Sequence, residues 1–301
     1  MNFFTQLLAH FSMKKALLLV NQHSRKGKKL LSQATAKLEA LGFELIVKST
    51  DSASEISDTI RKHKNQVELV IIGGGDGTLN CAIEGLMDTK LPLGILPMGT
   101  ANDLARTLGI PTNLSAAIQV IASGKIRLID IGWVNQQHFF NVASLGLSVE
   151  ITQRLTKDVK QRWGILAYAF AALQTIFKSR PFRAEIKVNN QSFNVKTIQI
   201  AIGNGRYYGG GMTVAEDATI DDKRLDLYSL ETQHWWEILA LLPAMRQGNH
   251  TTWPKVRALH AQEFEINTSK RRSINTDGEI TTHTPAKFRV IPQALAVIAP
   301  V

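Results

Sequence analysis

Hydrophobic positions in the first third of the chain switch repeatedly between two periods. ALLLVN (16–21) is a continuous apolar run of strand length. KGKKLLSQATAKLEALG (26–42) then sets Leu30, Leu31, Ala34, Leu38 and Leu41 at helical spacing, with Gly42 placed to end the helix. FELIVKST (43–50) reads as a second strand, and Ser52 with Glu55 forms a capping box for a helix running to about His63. VELVII (67–72) is a third strand, continuous in its apolar character after Glu68, as a strand covered on both faces should be. TLNCAIEGL (78–86) is helical, and LPLGILP (91–97) is a fourth short strand. This alternation predicts a parallel sheet in a doubly wound α/β layer, whose ligands sit beyond the carboxyl ends of the strands.

Near residue 127 the pattern changes. RLIDIGWV, HFFNVASLG, FRAEIKVN, FNVKTIQIAIGN, RLDLYSL, FEINT and KFRVIP are strand-like and mostly lack helices between them. Helical stretches interrupt them at about 151–178 and 235–247. The expected division is an α/β domain over residues 1–131 and a mainly antiparallel β domain over 132–289. No Pro/Ser-rich linker or internal repeat separates them, so a closely packed pair with a cleft between them is expected.

The first candidate for chemistry is VIIGGGDGTLN (70–80), with four glycines in five residues around one carboxylate. Neither G-x-x-x-x-G-K-[ST] nor G-x-G-x-x-G occurs. Yet bare backbone at a strand end, leading into a helix with unpaired N–H groups, suits a phosphate. A tight turn is the plain structural alternative. Asp76 inside an anion site requires a cation, and Mg²⁺ held through water reconciles the two. PMGTANDLARTLGIP (97–111) forms a second such loop, where an ordinary N-cap by Asn102 or Thr100 is the alternative. A third stretch, 202–227, is dense in Gly and acidic residues, and TDGE (276–279) could be a simple β-turn.

Composition narrows the class. At 301 residues, 44% hydrophobic and 20% charged, the chain can bury a substantial core. Cys81 is the single cysteine, which excludes an intramolecular disulfide and fits a reducing compartment. No two of the eight histidines lie three or four residues apart, so no zinc spacing is present. Of the net charge of +10, the sharpest concentration is at 151–196, with nine basic residues against Asp158 and Glu185. Such a patch serves an anionic membrane, a phosphorylated substrate or nucleic acid, or is simply a solvated surface. The longest apolar helix candidate, GILAYAFAALQTIF (164–177), is shorter than the ~20 residues of a transmembrane span. Residues 1–12 lack the features of a secretory signal and are read as an extension ahead of MKKALLLVN.

Taken together, GGGDGTLN, PMGTANDLAR, GNGRYYGGGM, IDDKRLDL and TDGE, in this order and spacing, resemble the diacylglycerol kinase catalytic family, and more closely its soluble bacterial lipid kinases. The match runs from about Met13 over nearly the whole chain. The resemblance implies an NAD-kinase-like ATP-binding α/β domain, a β-rich second domain, an active site in the cleft, and a last segment (290–301) that returns to the first domain. Contacts to ATP are implied for Thr50, for Gly74, Gly75, Asp76, Gly77, Thr78, Leu79 and Asn80, and for Thr100. Asp76 would organise Mg²⁺ on the phosphates. Glu279 would accept the proton of the lipid hydroxyl, with Asp277 beside it. A structural magnesium would sit at Thr219, Asp222 and Arg224, through the Asp222 side chain and the carbonyls of the other two.

The chain departs from that pattern in three places. Asn21 is followed by Gln22 and a basic run (Arg25, Lys26, Lys28, Lys29) where Asn-Pro is usual. Cys81 stands where Glu is common, and Lys223 where Gly is common. The expected activity is ATP-dependent phosphorylation of a membrane lipid hydroxyl, of the diacylglycerol or phosphatidylglycerol class. The rival enzyme is an NAD kinase, whose pattern carries an Asn-Glu pair that this chain lacks throughout. The rival of another class is a non-catalytic nucleotide or lipid sensor. No nucleic-acid module is found. A cytoplasmic protein is expected, peripherally associated with the inner face of an anionic membrane through Arg154, Lys157, Lys160 and Arg162 beside the apolar helix. A homodimer is left open.

Overall fold

The computed structural model describes residues 14–20, 27–49, 55–154, 174–177, 179–232 and 234–301. Thr50, Ser52, Asn21, Gln22, Arg25, Lys26 and most of the apolar stretch after Arg154 lie outside the described residues. The chain divides into two compact units, Met1–Ile129 with Ala294–Val301, and Asp130–Gln293.

In the first unit, β1 (Lys14–Val20) lies between β2 (Phe43–Ser49) and β3 (Leu69–Gly74), and β4 (Leu93–Pro97) follows β3, all parallel. Val297 of the chain's last strand pairs parallel with Leu93 and extends this sheet. The uninterrupted apolar runs have the burial their pattern demands: Ala16 to Val20 and Leu69 to Ile72 are all buried. The helices are α1 (Gly27–Ala40), α2 (Glu55–His63), α3 (Asp76–Asn80), α4 (Ile83–Thr89), α5 (Asp103–Thr107) and α6 (Leu114–Ser123). In α2, Glu55 and Asp58 stand in the first turn and Arg61, Lys62 and His63 in the last, matching the helix dipole. Its buried Ile56 and Ile60 are one turn apart.

Two local expectations are corrected. Leu41 is 41% exposed, because α1 ends at Ala40 and Leu41 belongs to the turn where Gly42 takes φ +85°. TLNCAIEGL is two helices rather than one, with the break at Cys81 and Ala82. Ser57 fixes that break: its hydroxyl donates to the Cys81 carbonyl and accepts the Gly85 N–H. A Cβ on Gly85 would lie 2.7 Å from Ser57 Cα, so glycine permits this close approach of α2 and α4.

The second unit holds β5 (Lys125–Val134), which enters from the first unit, then β6 (Gln137–Phe139), β7 (Val142–Gly146), α7 (Leu147–Arg154), β8 (Phe182–Val188), β9 (Gln191–Thr197) and β10 (Gln199–Gly203). The short pair β11 (Tyr207–Tyr208) and β12 (Met212–Thr213) follows, then β13 (Leu225–Leu230), α8 (Trp235–Gln247), β14 (Val256–Ala261), β15 (Glu263–Thr268), β16 (Ser273–Thr276), β17 (Glu279–His283) and β18 (Ala286–Ala299), whose last residues, from Ala294, belong to the first unit. One sheet has the order β14-β13-β10-β7-β16-β17, with antiparallel pairing throughout. β9, β8, β15 and β18 pair antiparallel in a second array. One buried cluster gathers Phe139, Phe182, Phe264, Phe288 and their aliphatic neighbours. Another gathers Tyr208, Tyr228, Leu230, Ile238, Leu241 and Met245, including the inner face of α8.

The strand β14 was not expected. VRALHA buries only Val256 and Ala261, so neither period shows in it, and its register against β13 makes it an edge strand. No helix among the described residues is long and apolar enough to cross a membrane.

Candidate active site

The two glycine-rich loops of the first unit lie against each other at the carboxyl ends of β3 and β4. Gly73 and Gly74 pair with Leu96 and Pro97, and the Met98 N–H donates to the Gly74 carbonyl at 2.9 Å. Beyond this pairing the backbones touch: a Cβ on Gly99 would lie 2.6 Å from Gly75 Cα. A Cβ on Gly74 would lie 2.6 Å from that of Thr78. The glycines therefore serve loop-on-loop packing, and they also leave backbone uncovered at Gly77 and Gly99, both exposed.

Asp76, the first residue of α3, joins the two loops. Its Oδ1 accepts the N–H of Leu104 at 3.1 Å, an orphan donor in the first turn of α5. Asn102, the alternative N-cap, does something else. It takes φ +50° and its amide accepts from Gly99 N and donates to Gly99 O, closing the loop on itself. Of the predicted nucleotide residues, Gly75, Asp76, Thr78 and Asn80 are half-buried, Thr100 is exposed, and Leu79 is 2% exposed in the core. The Leu79 N–H is itself taken up by the Gly75 carbonyl at 3.1 Å.

In the second unit, two sequence motifs converge on the chain between β6 and β7. TDGE forms the two-residue hairpin between β16 and β17, where Thr276 pairs with Glu279 and Asp277 and Gly278 take φ +48° and +99°. Asp-Gly is the pair that such a turn favours. The Asp277 carboxylate accepts three backbone N–H groups, from Phe140 at 2.7 Å and from Asn141 and Val142 at 3.0 Å each. Its own N–H donates to the Val142 carbonyl. Asp277 is thus an anchor. Glu279, two residues on, is exposed at the start of β17.

GNG (203–205) clasps the same segment. The N–H groups of Asn204 and Gly205 donate to the Asn141 carbonyl, and the Asn204 amide donates to the carbonyls of Asp130 and Phe140 at 2.9 Å each. Asp130, fully buried, ties in the acidic loop: its carboxylate accepts from Lys223 N at 2.6 Å and Gln293 N at 2.7 Å, and its N–H donates to Ile220 O. Sequence reading passed over Asp130 and Asn204. The available signal was a lone carboxylate inside the apolar run RLIDIGWV, since a buried charge must find donors.

Lys223 takes φ +62°, the conformation that explains a glycine preference at this position. Within the loop, Asp222 accepts from Thr219 N at 3.1 Å and Arg224 N at 3.2 Å. The Arg224 guanidinium reaches Asp217 at 2.8 Å, Asp226 at 3.3 Å and Asp222 at 3.4 Å. Burial pushes the Asp222 carboxyl above its usual value and Asp226 up to about 6, and the Arg224 hydrogen bond holds Asp217 below its own. In the loop where the resemblance implies a structural magnesium, both Asp222 oxygens accept backbone N–H groups and the Arg224 guanidinium stands beside them. Among the described residues no group of three or more His, Cys, Asp or Glu could hold a metal ion.

Comparison with known proteins agrees with these motifs. Residues 15–134 match the family model described as the diacylglycerol kinase catalytic domain, and residues 141–299 match the YegS C-terminal NAD kinase beta sandwich-like domain. The chain is 30% identical over 294 residues to a diacylglycerol kinase of Bacillus subtilis (strain 168), covering 96% of this chain and 97% of that one. It is 28% identical over 292 residues to a diacylglycerol kinase of Staphylococcus carnosus (strain TM300), covering 95% of each. A crystal structure of a diacylglycerol kinase from Bacillus anthracis str. Sterne shares the fold, with a TM-score of 0.75 at 23% identity over 96% of this chain and 97% of that one. A further structure from the same organism gives a TM-score of 0.82 at 25% identity over 95% of both chains. With both halves matched in order, and a relative aligned almost end to end, the chain belongs to the diacylglycerol kinase catalytic family and is an ATP-dependent lipid kinase.

Proposed function

We propose that this kinase phosphorylates the free hydroxyl of a membrane lipid of the diacylglycerol or phosphatidylglycerol class, with Glu279 as the proton acceptor. The observation that carries the reading is the division of labour in the TDGE hairpin. Asp277 is committed to three backbone N–H groups, while Glu279 on the same tight turn stays open to solvent. An accessible carboxylate on an anchored turn is what a base for a lipid hydroxyl requires. The nucleotide contacts fall to Gly74–Asn80 and Thr100, and to Thr50 beyond the described residues. Asp76 is half-buried with its Oδ1 on Leu104, an arrangement that suits a water-mediated hold on Mg²⁺. When bound, that ion supplies charge neutralisation on the phosphates.

The bilayer location of such a substrate supports peripheral contact with an anionic membrane. The names of the relatives favour diacylglycerol among acceptors. Labelled ATP with a panel of lipids tests the reading: transfer to diacylglycerol or phosphatidylglycerol, lost in Glu279→Gln, is expected. Transfer to NAD alone, or to no acceptor, would overturn it.

A further inference from the structure

The helix α8 is apolar on two faces. Ile238, Leu241 and Met245 turn inward to the buried cluster around Tyr228. Outward, Trp235 is 44%, Trp236 55% and Leu242 39% exposed, and Phe177, itself 50% exposed, packs on Trp235 with ring centroids 4.4 Å apart. A helix apolar nearly all round normally has both faces covered.

We propose that the outer face of α8, with Phe177, is the surface by which this kinase docks on an anionic lipid bilayer. The proposal rests on the lipid-kinase reading and adds the place of contact. Charge is the first argument. The single carboxylate of α8, Glu237, is buried, accepts the His234 N–H and pairs with Lys255, while Arg246 stands exposed in the last turn. Nearby Glu231 is paired with Arg257. An anionic surface therefore meets no open carboxylate on α8 itself and one exposed cation, Arg246, with the exposed Glu216 lying beside Gly248 at the far end of the helix. The residue type is the second argument, because tryptophan is the side chain that settles at the headgroup level with its N–H still wet. Size is the third. With an aromatic side chain worth ~150–250 Å², the half-exposed members make a patch of a few hundred Å², on the order of the largest functional patches of monomers. A stable dimer needs about 800 Å² from each partner, so a second copy is the poorer fit.

The test uses the full chain and vesicles of phosphatidylcholine with phosphatidylglycerol. Trp235→Gln with Trp236→Gln should weaken co-sedimentation about tenfold or more, leaving turnover of a short-chain, water-dispersed diacylglycerol unchanged. Brominated lipid should quench the tryptophan fluorescence of the wild type, and most of that quenching should vanish in Trp235→Phe with Trp236→Phe, which keeps the packing against Phe177. Unchanged vesicle binding, or wild-type fluorescence untouched by brominated lipid, would overturn the docking surface while leaving the kinase reading intact. A concentration-dependent dimer that these substitutions dissociate would overturn it in favour of a second copy. Failure to phosphorylate any lipid would instead count against the kinase reading, since vesicle binding needs no turnover.

Discussion

Asp76 and Leu104 are joined by one hydrogen bond, carboxylate to backbone N–H at 3.1 Å, that links the two glycine-rich loops of the first unit. The carboxylate thus caps α5 from a different loop. Two substitutions separate this structural duty from the proposed duty to magnesium. Asp76→Asn keeps an oxygen for Leu104 and should leave the melting temperature close to wild type while turnover falls by ~10² or more. Asp76→Ala should lose the cap as well, at about 1 kcal/mol. Equal stability in both variants, or near-normal turnover in Asp76→Asn with unaltered magnesium dependence, would refute the double role.

The contact of Gly75 with Gly99 gives a second expectation. Because a Cβ on Gly99 would lie 2.6 Å from backbone, Gly99→Ala must push the loops apart. The KM for ATP should rise about tenfold or more, with the KM for lipid little changed. At Gly210, a Cβ meets nothing within 4 Å, although its φ is +85°. Gly210→Ala should therefore cost only backbone strain and spare ATP binding. Similar KM values for both variants and wild type would show that loop contact is unimportant.

Much of this was legible from residues alone, and the limits have physical causes. The inner parallel strands of the first unit, β1, β3 and β4, are encoded locally, because each carries a short unbroken apolar run bounded by turn residues, whereas the edge strand β2 is interrupted by Glu44 and Lys48. The glycine clusters announced backbone exposed for a purpose, and their motifs identified the family. What local pattern could not convey was who bonds to whom. Asp277 reads as a second catalytic carboxylate beside Glu279, and only folding brings the N–H groups of Phe140, Asn141 and Val142 onto it. Asn102 looked like an N-cap, but the cap arrived from Asp76 across a loop. The strand β14 was hidden because its pairing with β13, rather than its own alternation, holds it in place.

The hairpin predicts opposite signatures for its two carboxylates. Glu279→Gln should lower turnover by ~10²–10⁴ with fold and ATP affinity preserved, since only the proton acceptor is lost. Asp277→Asn should behave differently. An amide has one acceptor oxygen where the carboxylate has two, and its NH₂ would face a backbone donor. A loss of about 1–3 kcal/mol in stability is expected, with activity falling alongside it. Chemical unfolding curves and turnover on both variants check this, and a stable but inactive Asp277→Asn would mean that Asp277 acts directly in the chemistry.

The acidic loop should behave as one held by its own donors. Asp222→Ala removes acceptors from Thr219 N and Arg224 N and leaves Arg224 with two carboxylates rather than three. Melting should fall by a few degrees, and added magnesium should leave the wild-type melting temperature without nucleotide unchanged. An ion bound only by the folded chain would raise it by mass action. A magnesium-dependent rise that Asp222→Ala abolishes would restore the structural metal to this loop.

His250 supplies a dependence on pH. It is fully buried, edge-on to the Tyr228 ring with centroids 5.0 Å apart, and burial pushes its imidazolium below the ordinary histidine value. The folded chain therefore holds this proton less tightly than the unfolded chain does. The resulting stability is fully present above the unfolded value of about 6.5 and is lost as pH falls from there toward the lower folded value. One proton gives a slope of at most about 1.4 kcal/mol per pH unit. His250→Phe keeps a ring against Tyr228 and cannot titrate. Unfolding free energies measured between about pH 7.5 and about pH 5 should converge or cross for the two proteins, with the wild type falling faster. Parallel curves over that range would show that His250 does not charge on unfolding and that acid lability arises elsewhere.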